Sequence, residues 1–179
     1  MLLSTLAGDP RVWLGLAYFG GVGTGPDVGG GGGGRAEVGV ALGRNPERSL
    51  GILAFAREGV ATPEFRTLGT VNVLLRFPAG HGLFVVGGFA HHHETEFADF
   101  LADPGTTALA TNPAIHHRTG FEVGAGYDLG NQWPDNGIAS RIRLFASASA
   151  VVLPNSVGPP VYVMADLGFR FGVDRLRRE

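Results

Sequence analysis

The stretch "PVYVMADLGFRFGV", residues 160–173, decides how the rest of the chain is read. Val161, Val163, Ala165, Leu167, Phe169, Phe171 and Val173 fall on one face of an extended chain. Tyr162, Met164, Asp166, Gly168, Arg170 and Gly172 take the other. Alternation sustained this long predicts a β-strand with two unlike faces. It recurs in "AEVGVAL", "VNVLLRF" and "FEVGAGYDL", and helical periodicity is hard to find. Eight segments are predicted, near 11–22, 35–43, 49–58, 64–77, 82–94, 114–129, 138–152 and 160–173, broken by Gly, Pro, Asn and Asp. The third, "LGILAFARE", alternates poorly, so its inward face is not defined by pattern.

Short turn-like links, "GRNPERS", "PAGHG" and "GNQWPDNG", follow the second, fourth and sixth segments. Two other links are long: the glycine tract around 20–34 and the stretch 95–113. Short turns at one end and long loops at the other predict an all-β fold, a single antiparallel up-and-down barrel of eight strands over 11–174. Residues 1–10 read as a tail that is a signal-peptide remnant, a misplaced start or the beginning of a mature chain, and 175–179 as a second tail. The glycine tract reads as a mobile loop, because no Lys-Ser/Thr and no helix follow it as in a phosphate-binding loop.

Composition narrows the class. A chain of 179 residues is long enough for one core. A net charge of −2 without a basic stripe argues against nucleic acid. With no cysteine there is neither a disulfide framework nor a thiolate metal site. All 14 basic residues are arginine, which suits buried ion pairs. No apolar run approaches the length of a transmembrane helix.

Two barrels share this pattern. A soluble, lipocalin-like one lines a ligand cavity with its apolar face. A transmembrane one turns that face to lipid. The opposite face favours the second. It carries Gly39, Ala41, Gly88, Ala90, Gly120, Gly124, Gly126 and Gly168, with Glu37, Glu122, Asp128 and Asp166 set against Arg76, Arg141, Arg143 and Arg170. Four acids against four arginines suit an enclosed space where charges must find partners. A solvated face would be rich in Lys, Thr and Gln. Tyr18, Phe77, Tyr127 and Phe171 fit aromatic girdles. An eight-stranded barrel is just wide enough for side chains to fill, so these charges predict a plugged lumen.

With these eight segments and the last strand "VYVMADLGFRF", the chain resembles the small eight-stranded outer-membrane barrels, such as the transmembrane domain of OmpA-type proteins. The resemblance implies residence in the outer membrane of a Gram-negative bacterium. It also implies recognition of the final strand, with Phe169 and Phe171, by barrel-assembly machinery. A structural or surface-interaction role through the long loops follows, with outer-membrane lipid and an extracellular or periplasmic protein as partners.

Five of the six histidines fall in "GGFAHHHETEF" (87–97) and "IHHRTGFEV" (115–123). With Gly88 opposite Gly120, His92 faces His116 and His91 faces His117. His92, Glu94, His116 and Arg118 then point to the barrel mouth, and His91, His93 and His117 point outward. Residues i and i+2 share a strand face, so either His91, His93 and His117, or His92 and His116 with Glu94, form a candidate set for a divalent metal such as zinc. The alternatives are that amphipathic histidines simply suit a membrane rim, or that they make a pH-responsive loop. Lipid A-modifying barrel enzymes combine His with Ser and an acid. Here Ser140, Ser147, Ser149 and Ser156 lie far from both clusters and Thr119 is the nearest hydroxyl, so no catalytic set is expected.

Overall fold

A computed structural model describes residues 12–24, 29–43, 49–62, 66–108, 111–129, 142–154 and 159–173. Eight strands occupy them: β1 Val12–Gly23, β2 Gly30–Ala41, β3 Gly51–Ala61, β4 Arg66–Gly80, β5 Leu83–Glu96, β6 His116–Leu129, β7 Ile142–Val152 and β8 Val161–Gly172. Each pairs antiparallel with its sequence neighbour, and β1 with β8, to close a barrel in the order β1 to β8. The predicted tails 1–10 and 175–179 and Arg141 lie outside the described residues.

The register fixes the barrel's girth. From Tyr127 the paired positions run through Ala146, Leu167, Tyr18, Gly34, Glu58, Gly69 and His93 back to β6 at His117, ten residues from the start. A stagger of this size on eight strands sets a tilt of about 40° and a radius of about 8 Å. That space admits side chains and little else.

The faces sort as the alternation predicts. Leu14, Leu16, Val38, Val40, Ile52, Val71, Val73, Leu75, Val123, Leu144, Leu167 and Phe169 are exposed around the outer wall, while Glu37, Arg76, Glu122, Asp128, Asp166 and Arg170 are buried inside. A water-soluble barrel would not leave a closed ring of Val, Leu, Ile and Phe uncovered. The lipocalin-like arrangement, with an apolar cavity and charges in water, is overturned by this inversion.

Glycine and small residues alone do not fill the rest of the lumen. One apolar cluster joins Trp13, Ala41, Leu53, Phe55 and Leu74, and a second joins Phe19, Leu68, Ala90, Val151, Leu153, Tyr162 and Met164. Lumenal glycines make room for these bulky groups. A Cβ on Gly39 would sit 2.0 Å from the Trp13 indole, and one on Gly126 2.3 Å from the Phe84 ring.

Two links differ from expectation. The glycine tract is mostly strand: Gly30–Gly34 pair with Tyr18–Val22 on one side, and Gly31–Gly34 with Glu58–Ala61 on the other. Glycine leaves no side-chain alternation to read, although its backbone pairs like any other. The stretch 95–113 carries two short helices, α1 Phe97–Ala102 and α2 Pro104–Ala108. The β4–β5 turn is as tight as predicted, with Gly80, His81 and Gly82 all at positive φ.

Candidate functional site

Inside the barrel the charged groups form one connected network. Arg57 is its hub. Its Nη1 and Nη2 donate to both oxygens of Glu122 at 3.0 Å, and its Nε and Nη2 donate to Asp166 at 3.0 and 2.8 Å. One planar guanidinium thus holds two carboxylates as a fork, a geometry an ammonium cannot supply. The Asn72 amide also donates to Glu122, and Ser147 Oγ and Arg35 donate to Asp166. Arg35 leads on to Glu37, Glu37 to Arg170, and Arg170 to Asp128. Arg76 donates to Asp128 at 2.7 Å, with Arg143 at 3.7 Å.

Aromatic rings are interleaved with these guanidiniums: Arg35 lies 3.9 Å from the Phe55 centroid and Arg170 3.9 Å from that of Phe145. Flat rings cover the faces of the cations while the edges stay free to donate. Of the eight charges assigned to the lumen by sequence, all but Arg141 are placed there. Arg35 and Arg57 were missed.

A second polar group closes the mouth at the end that carries α1. His92 bonds Glu94 at 3.2 Å and stacks on Tyr162 at 4.9 Å. Arg118 donates to Glu94 at 3.1 Å, to the Tyr162 hydroxyl at 2.8 Å and to the Pro159 carbonyl at 3.2 Å. Arg66 reaches Glu94 from β4 at 3.2 Å. Beside it, Arg66, Glu94, Thr95, Glu96, Asp99, Ala114 and His116 line a cavity of about 270 Å³.

Glu94 lies above the apolar belt, which on β5 ends at Phe89. Burial pushes its carboxyl up, but the His92 hydrogen bond and the Arg118 and Arg66 charges outweigh this and hold it at about 2. A carboxyl depressed in the folded state stabilises fully above its ordinary 4.5, and this is lost as pH falls through about 2. Glu94→Gln is therefore expected to flatten the stability loss between these limits, read from urea titrations across the acid range; an unchanged acid limb would refute the assignment.

The histidine register differs from the expected one by two residues. Gly88 faces Glu122, His92 faces Arg118, His93 faces His117 and Glu94 faces His116. Gly88 lets β4 come close: a Cβ there would sit 2.4 Å from the Val73 carbonyl oxygen. His92 and Glu94 do point inward, yet His116, at the strand's first residue, is exposed. They meet Arg118 and Tyr162 instead of forming a His92, His116 and Glu94 set.

On the outer wall His91 Nε2 lies 3.1 Å from His117 Nδ1, with stacked rings. His93 crosses β4 over Gly69 to bond Glu58 on β3 at 2.8 Å, and a Cβ on Gly69 would sit 1.9 Å from its ring. Among the described residues no three His, Asp or Glu side chains are gathered ready to hold a metal ion. Neither do the described serines meet a histidine: Ser147 serves Asp166, and Ser149 lies 3.5 Å from Arg57.

No protein-family model and no curated protein matches the chain by sequence. Solved structures do match its shape. Neisserial surface protein A is similar at a TM-score of 0.61 and 10% identity, over 93% of this chain and 99% of that one. Ail, the attachment invasion locus protein of Yersinia pestis, is similar at 0.50 and 11% identity, over 91% and 99%. With an apolar exterior, an ion-paired lumen and an alignment that covers more than nine-tenths of the chain, this protein has the fold of the small eight-stranded outer-membrane β-barrels.

Proposed function

We propose that the chain is a non-enzymatic barrel of the Gram-negative outer membrane, plugged by its own ion pairs, with a structural or surface-interaction role. The observation that carries this reading is the network from Arg57 to Asp128, which crosses the lumen and leaves its cations stacked on Phe55, Phe84 and Phe145. A barrel so filled contributes anchorage and a rim, and chemistry with the exterior falls to the segment around α1 and α2. Outer-membrane lipid surrounds the wall, assembly machinery reads β8, and an extracellular or periplasmic protein is the partner of the exposed ends.

Three measurements test it together. The purified barrel is expected to migrate differently before and after boiling and to stay with the membrane fraction. In planar lipid bilayers it is expected to give no stepwise conductance. Regular open-channel steps from the folded form would refute the plug, and recovery in the soluble fraction would refute membrane residence.

A further inference from the structure

We infer that His91 and His117 form a two-imidazole site for a borderline-soft divalent cation, zinc or copper(II), on the outer wall just above the apolar belt. The geometry carries this. A metal bonded to nitrogen at about 2.0–2.1 Å with an angle of about 95–110° holds its two ligand atoms about 3.0–3.4 Å apart. His91 Nε2 and His117 Nδ1 already stand 3.1 Å apart, on adjacent strands whose hydrogen bonds fix the separation.

Both side chains are accessible. His91 is half-buried and His117 exposed, and Phe89 and Phe121 mark the top of the lipid-facing belt immediately below. In the metal-free protein the two nitrogens share a proton. To bind, that proton moves to the far nitrogen of its own ring, and both facing nitrogens present lone pairs. The set is incomplete by design of the wall, since His93 is held on Glu58 across Gly69. Its ring stands 6.4 Å from that of His91 and 6.5 Å from that of His117. Water or lipid phosphate oxygens then fill the remaining positions, which places the cation at headgroup level. Because only neutral imidazole coordinates, binding weakens on acidification.

The test uses the full chain folded in detergent and stripped with chelator, titrated with zinc alone and with copper(II) alone. Wild type is expected to bind one equivalent, with nitrogen hyperfine structure in the copper(II) electron paramagnetic resonance spectrum. His91→Gln and His117→Gln are each expected to weaken binding at least tenfold, whereas His116→Gln, on the opposite face of β6, leaves it unchanged. Heat-modifiable migration confirms that each variant folds. Equal affinity in wild type and the His91→Gln/His117→Gln double variant would overturn the site, as would a copper(II) spectrum without nitrogen coupling. Either failure leaves the plugged-barrel reading intact, because that rests on the lumen.

Discussion

Arg57→Leu is expected to cost about 3–5 kcal/mol of folding free energy, among the largest single losses available in this chain. The side chain is 1% exposed and satisfies two carboxylates at once. Among the described residues, removing it leaves Glu122 with the Asn72 amide, and Asp166 with Arg35 and Ser147. A buried carboxylate stripped of its counter-charge carries its desolvation cost uncompensated. Arg57→Lys should recover little, since one ammonium cannot make both forks. Adding Glu122→Gln and Asp166→Asn to Arg57→Leu should restore more than half the loss, because the charges that needed the guanidinium are gone. The measurement is urea unfolding in lipid vesicles, followed by the heat-sensitive gel shift. A loss under about 1 kcal/mol for Arg57→Leu would deny the hub its role.

A second large effect is expected from the opposite wall. Val73→Arg places a charge halfway up β4, where the valine is 49% exposed. On a water-facing surface such a change is nearly neutral. In the middle of a bilayer it costs about 2–4 kcal/mol, falling to about 0–1 near the interface. Val22→Arg, near the end of β1, is the matching control. The same vesicle titration reads both, and equal small losses at the two sites would contradict a membrane-embedded wall.

The fold was legible because most strands carry large apolar residues on one face and charge or glycine on the other. Where both faces are alike, the reading failed. In β3 the inward Leu53 and Phe55 and the outward Ala54 and Ala56 are all apolar, so parity gave no warning that Arg57 continues the inward row. Counting on from Leu53 in steps of two would have found it. Arg35 escaped for another reason: the six glycines before it show no alternation, so the strand looked like a loop ending there. The histidine patch was read correctly as one cluster split between two faces. Its partners were misassigned because register depends on how two neighbouring strands fit each other, and periodicity along one strand holds no information about that match.

The crossing of the lumen by Arg57 also bears on how the barrel is assembled and how long it lasts. Arg57 stands on β3, while its carboxylates come from β6 and from β8, the last of the eight in chain order. An open, curling sheet lacking its final staves can hold none of the Asp166 bonds, so this half of the guanidinium's partners arrives only with β8. Interactions that arrive so late do little to hasten formation and act chiefly as a lock on the finished object, slowing its escape. The half-life of the closed cylinder, more than the speed of its making, is what Arg57 governs.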